Sequence, residues 1–135
     1  MSAPENTTTR TGSCLCGAVR YAFSGVPDRL VACHCVQCRK TSGHYLACLT
    51  VNPDALDITA DAGLAWYRSS EKAVRGFCQT CGSSLFWKAN DNSILAVFAG
   101  TIDGPTGLQL CEHIYVGNRG DYYDLADGLP QKPAG

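Results

Sequence analysis

Nine cysteines in a chain of 135 residues limit what it can fold into more than any other feature. Seven fall into three clusters: Cys14-Leu15-Cys16, then Cys33-His34-Cys35-Val36-Gln37-Cys38, then Cys78-Gln79-Thr80-Cys81, while Cys48 and Cys111 stand apart. An odd count argues against a framework of disulfides. The polar opening "MSAPENTTTR" has no apolar stretch of the secretory kind, so a cytoplasmic location is expected, where thiols stay reduced. Metal binding, catalysis and burial as small hydrophobes remain. A thioredoxin-like redox pair would need a strand–helix–strand context that the sequence does not offer. In a C-x-x-C turn both thiols reach one ion while the backbone between them offers N–H groups to the sulfurs. "FCQTCGSSL" is a strong instance, because Gly82 allows a tight turn back into a strand. Zinc, which takes four such ligands at about 2.3 Å in a tetrahedron, is the metal these clusters suit.

The rest of the chain supplies an ordinary core. Its length suits one domain, set at residues 11–135 behind a flexible lead-in of residues 1–10. The formal charge is −1 and no run of Lys or Arg occurs, so the electrostatic footprint of a nucleic-acid binder is missing. The longest apolar run, Ile94 to Ala99, falls far short of the ~20 residues of a membrane span. Short stretches with period-two alternation dominate. "AVRYAF" places Val19, Tyr21 and Phe23 on one face, and "HYLACLTV" alternates across Tyr45, Ala47, Leu49 and Val51. "LAWYRS", "SSLFWK", "SILAVFAG" and "LQLCEHIYV" also predict strands, separated by Gly25-Val26-Pro27, Asn52-Pro53 and Gly104-Pro105. Only "VQCRKTSG", after Cys35, suggests a helical turn, and no internal repeat or linker interrupts the pattern. The expected fold class is all-β, two packed sheets or a distorted barrel of short antiparallel strands. Trp66, Tyr67, Phe86 and Trp87 are assigned to its core, and Cys48 to a buried position in an apolar strand.

Seven clustered thiols divide as four plus three, and spacing alone leaves two divisions open. Cys35/Cys38 with Cys78/Cys81 would make a closed zinc ribbon and a purely structural site. Alternatively, Cys14 and Cys16 join Cys78 and Cys81, leaving Cys33, Cys35 and Cys38 as a three-ligand set. Three protein ligands plus one open position is the usual arrangement of catalytic zinc, and four is that of structural zinc.

"GSCLCGAVRY", "CHCVQCRKTSG", "FCQTCGSSL", "GTID" and "HIYV", in that order from about Gly12 to Pro130, resemble the glutathione-dependent formaldehyde-activating enzyme family, whose domain is shared with centromere protein V. The resemblance implies an Mss4-like β-fold with two zinc ions. It also implies a division: Cys14, Cys16, Cys78 and Cys81 for a structural zinc, and Cys33, Cys35 and Cys38 for a catalytic one. The implied activity is that of a carbon–sulfur lyase or synthase resembling S-(hydroxymethyl)glutathione synthase, with glutathione or a similar small thiol as partner. Where the family usually carries a tryptophan near the C-terminus, "RGDYYDLADGLPQ" offers Tyr122 or Tyr123.

The ligand set suits that chemistry. Three thiolates give a zinc site of net charge −1, better able to hold a nucleophilic fourth thiolate than to acidify water, and a coordinating thiol is deprotonated outright. Glutathione carries two carboxylates, so Arg39, Lys40 and His44, which follow Cys38, are candidate substrate contacts, Arg39 through a bidentate pair. His113 matches a family histidine and is a candidate proton shuttle, or else a satisfied structural histidine; it is expected to share a strand face with Cys111. His34 points away from the metal if its segment is extended, and is the weaker candidate for a fourth ligand. The alternative to an enzyme is a zinc-stabilised binding module without catalysis. Chromatin binding would call for a basic tail, which the chain lacks.

Overall fold

The structure, a computed structural model, describes residues 8–25 and 29–135. Among the described residues ten strands form two sheets. The smaller holds β1 (Thr9–Ser13), β2 (Arg20–Ser24) and β5 (Leu56–Ala60) in the order β1-β2-β5. The larger holds β3 (Leu30–Cys33), β4 (Leu46–Val51), β6 (Leu64–Arg68), β7 (Ala73–Cys78), β8 (Ser84–Ala89), β9 (Leu95–Phe98) and β10 (Leu110–Ile114). Its order is β10-β3-β4-β9-β8-β7-β6. The all-β expectation holds, as two open sheets rather than a closed barrel. One pair departs from antiparallel: β10 runs parallel to β3. Of the expected lead-in, residues 1–7 lie outside the described residues, as do Val26 and Pro27, while Thr9 and Arg10 already belong to β1.

Alternation along the strands builds two apolar clusters on the two faces of the larger sheet. Leu49 and Val51 of β4, Val97 of β9 and Phe86 of β8 pack with Tyr21 and Phe23 of the smaller sheet. Tyr21 meets Phe86 edge-on, with ring centroids 5.1 Å apart. Their neighbours in sequence, Cys48 and Phe98, turn the other way and pack with Leu46, Cys33 and Cys38. On this second face one cross-strand row runs Arg75–Trp87–Ala96–Thr50 through β7, β8, β9 and β4.

The predicted helical turn is α1 (Val36–Ser42). Cys35 caps it, its Sγ accepting the Cys38 N–H at 3.3 Å, and Gly43 ends it at φ 91°, where its N–H reaches the Arg39 carbonyl at 3.0 Å. No side chain with a Cβ takes that φ readily. The C-terminal residues run back along β10: His113 N–H donates to the Pro130 carbonyl and Lys132 N–H to that of His113, both at 2.9 Å. Buried Glu112 fastens this edge through Arg29 at 2.6 Å and Lys132 at 3.4 Å. Among the described residues no helix is long and apolar enough to cross a membrane.

Candidate metal centres

Chain segments distant in sequence bring four thiols together. Cys14 and Cys16 lie in the turn after β1, Cys78 ends β7, and Cys81 lies in the turn before β8. Their sulfurs all fall within 4.8 Å of one another. Cys16 Sγ is 3.7 Å from both Cys14 Sγ and Cys78 Sγ. A tetrahedron of sulfurs about 2.3 Å from zinc has edges of about 3.8 Å, so this spacing fits zinc. Gly82, at φ 81°, closes the turn with an N–H to the Cys78 carbonyl at 2.7 Å. Backbone donors face the sulfurs: Val19 N–H to Cys14 at 3.2 Å and Cys81 N–H to Cys78 at 3.5 Å. The Ser83 hydroxyl, 3.2 Å from Cys81 Sγ, and then the Ser83 N–H hold that thiol down at about 5. Cys14 and Cys78 are buried in the main core.

Cys33 at the end of β3, Cys35 at the cap of α1 and Cys38 in its first turn form the second group, again with all sulfurs within 4.8 Å. Among the described residues no fourth His, Cys, Asp or Glu joins them. His34 does not: its Nδ1 meets the Tyr123 hydroxyl and its Nε2 lies 2.9 Å from His113 Nδ1. The Cys33 side chain and then Arg75 hold Cys38 down at about 5, whereas the same contact with Cys38 pushes Cys33 well up. Soft all-sulfur sets such as these select zinc or a similar soft cation.

The three thiols line a cavity of about 300 Å³, walled by Leu46, Trp87, Phe98 and Ile114 among others. Arg75 also lines it. Its guanidinium donates from Nη2 to Cys38 Sγ at 3.5 Å and to Gln37 Oε1 at 3.1 Å, and sits 5.7 Å from the Phe98 ring centroid.

A family model described as glutathione-dependent formaldehyde-activating enzyme matches residues 9–118. The chain belongs to the glutathione-dependent formaldehyde-activating enzyme family. A Schizosaccharomyces pombe protein described as an uncharacterized lyase is 26% identical over 118 residues, which cover 86% of this chain and 85% of that one. The crystal structure of a Rhodobacter sphaeroides protein superposes with a TM-score of 0.58 at 24% identity, over 71% of this chain and 90% of the other, and shares the fold.

Within this member of the family, the thiols and the other candidate residues part company. Arg39, Lys40, His44 and His113 do not line the cavity of the three thiols. His44 is exposed and meets the Tyr122 hydroxyl at 3.2 Å. His113 is buried between His34 and Asp127, whose carboxylate it meets at 2.7 Å. A bulge at Cys111 interrupts the alternation of β10 and leaves Glu112 and His113 buried in succession. Cys48 is partly buried, and burial pushes its thiol up to about 12. Of the four aromatics assigned to the core, Phe86 is there and Trp66 stacks on it at 5.8 Å. Tyr67 is exposed, and Trp87 is a cavity wall. Arg75 escaped the sequence reading because β7 itself was not recognised; a lone charge in "AVRGFC", in step with buried Ala73, was the available signal.

Proposed function

We propose that the chain is a zinc-dependent carbon–sulfur lyase, equally able to run as a synthase, acting on the adduct of a small thiol such as glutathione with a small aldehyde. Membership of the family and likeness to a protein described as a lyase support a lyase-type function. The observation that carries the finer reading is the group of three thiols that no fourth ligand joins among the described residues, open to a cavity. Cys33, Cys35 and Cys38 would hold one zinc ion there, and Cys14, Cys16, Cys78 and Cys81 a second, structural one. Zinc, when bound, keeps a coordinating thiol ionised at neutral pH.

The chain's own residues set the conditions for the reaction. Cys35 Sγ accepts the Cys38 N–H and Cys38 Sγ accepts from Arg75, so hydrogen bonds offset part of the charge of the three thiolates. Trp87, Phe98 and Leu46 displace water from the reacting carbon. In the lyase direction the adduct hydroxyl gives up its proton to water, and the carbon–oxygen double bond forms as the carbon–sulfur bond breaks, with the electron pair of that bond leaving on sulfur. Because thiol and aldehyde combine unaided, the test is a rate. Exchange between free glutathione and its formaldehyde adduct, followed by magnetisation-transfer NMR, is expected to speed up with added protein and to lose that gain in Cys35→Ser. No acceleration with glutathione or any other small thiol would leave a zinc-stabilised binding module in its place.

A further inference from the structure

Arg75 is 5% exposed, and a guanidinium cannot shed its charge, so it needs an anion close by. Among the described residues no carboxylate pairs with it. Its contacts are the neutral Gln37 amide, the Thr41 hydroxyl at 3.4 Å and the face of Phe98, and Cys38 Sγ at 3.5 Å is the one neighbour among the described residues that can carry a negative charge, a charge that a bound metal ion would largely take up. Its Nε is buried with no partner. A planar guanidinium carries five N–H donors, and the three hydrogen bonds of this one, two of them from Nη2, leave donors over in a residue that lines the cavity.

We propose that Arg75 makes the cavity a carboxylate site, so that the carbonyl half of the substrate is an aldehyde with an apolar body and one carboxylate near its reacting carbon. This rests on the cavity being the place where the lyase substrate binds. The position of the cation separates the two possible sources of the carboxylate. Arg75 stands beside Cys38, among the groups that would hold the reacting sulfur, so an anion on it lies within a few bonds of the carbon being attacked. A glutathione carboxylate sits several bonds further from its own sulfur. The lining adds a second reason. Beside the thiols, Gln37, Thr50 and Tyr115 the lining is apolar, and Arg75 is its one charged side chain other than the thiols, so the second carboxylate and the ammonium of a tripeptide would meet no second ion there, Arg39 and Lys40 staying outside. The apolar surface continues to the mouth, where Ile94 and Tyr115 are 45% and 37% exposed. A bare one-carbon aldehyde would leave most of a 300 Å³ cavity unused.

The test needs neither thiol nor turnover. Trp87 lines the cavity and Trp66 does not, and these are the two tryptophans of the chain, so Trp66→Phe protein, purified with its metal, reports on the cavity by fluorescence. Phenylacetate is titrated against phenylacetamide, its neutral isostere. The expected result is that phenylacetate binds about tenfold tighter or more, the order of one charge-assisted hydrogen bond. Equal binding, or no binding of either, overturns the proposal. Arg75→Lys and Arg75→Met, checked for unchanged metal content, are expected to lose the preference for the carboxylate while keeping the amide. A preference that survives in both places the carboxylate on the metal and also overturns it. Should the Arg75 variants fail to fold, the same titration on Cys35→Ser decides between Arg75 and the metal, the preference persisting if Arg75 holds the carboxylate and vanishing if the metal does. A glutathione titration in parallel, weakened by the same Arg75 variants when phenylacetate is not, would assign the guanidinium to the thiol half and refute the aldehyde assignment. Should the lyase reading fail, no exchange is catalysed yet phenylacetate still prefers Arg75, so the two failures differ.

Discussion

The two thiol groups sit on opposite faces of one sheet, and their surroundings differ in kind. Cys14 and Cys78 belong to the cluster that joins the two sheets, with Tyr21, Phe86 and Val97 around them. Cys33 and Cys38 belong to the smaller cluster under α1, which is hollow. Four sulfurs drawn from the turn after β1, the end of β7 and the turn before β8 tie distant parts of the chain, so a metal bound there would close long loops and stabilise the fold. Three sulfurs drawn from six consecutive residues tie little that the cap of α1 does not already hold. On the proposed reading, the same ligand chemistry would act as a fastening in one place and as a reaction site in the other.

That contrast breaks first, and hardest, at the cysteines. Cys14→Ser or Cys81→Ser is expected to abolish cooperative folding, since a structural zinc site supplies on the order of 10 kcal/mol against a domain stability of about 5–15 kcal/mol. Cys35→Ser should keep the thermal transition by circular dichroism and carry one zinc ion fewer. Equal collapse of both would restore the ribbon pairing of Cys35/Cys38 with Cys78/Cys81. A graded chelator challenge sharpens the same contrast in the unmodified protein: one ion leaves with the fold intact, and the second leaves only with unfolding.

Packing gives the next largest effects. Phe86→Ala, at the centre of the main core, is expected to cost about 3–5 kcal/mol in urea unfolding. Cys48→Ser should cost only about 1–3 kcal/mol, the burden of an unsatisfied hydroxyl, and leave both zinc ions bound by mass. Loss of an ion would make Cys48 a ligand.

The smallest effect is electrostatic and lies on the β10 edge. Burial pushes the Glu112 carboxyl up, but the bonds from Arg29 and Lys132 outweigh it and hold it below its ordinary value. A depressed carboxyl adds stability above its unfolded pKa of about 4.3 and loses it as pH falls further. Hydrogen exchange in β3 and β10 should therefore quicken below that pH in the wild type. In Glu112→Gln it should be faster at neutral pH and less acid-sensitive, with β7 and β8 unaffected in both.

How legible all this was in the sequence follows from what local patterns can carry. Period-two runs marked β2, β4, β6, β8, β9 and β10, because each alternates strongly or is apolar throughout. The strands β1, β3, β5 and β7 were not recognised. "TRTGS" and "LDITA" are polar and partly exposed, "LVAC" is four residues long, and "AVRGFC" breaks its pattern with a charge and a bulge. The cysteine clusters were visible as clusters, but assigning Cys14 and Cys16 to Cys78 and Cys81 took the family resemblance, and the sulfur spacing agrees with it. Arg75 reaches the three thiols only because β7 lies four strands from β3 in the larger sheet with its second face toward α1, a relation that no short motif encodes. The candidates drawn from sequence neighbourhood, Arg39, Lys40 and His44, follow Cys38 along α1 and just beyond it, and lie outside the cavity.

The central claim, one closed thiol site and one open to small thiols, is tested most directly by native mass spectrometry of protein purified without chelator or added thiol, then titrated with glutathione. Two zinc ions, with glutathione adding as an adduct or removing one ion selectively, is the predicted result. A single tightly held zinc ion and no response to glutathione would contradict it.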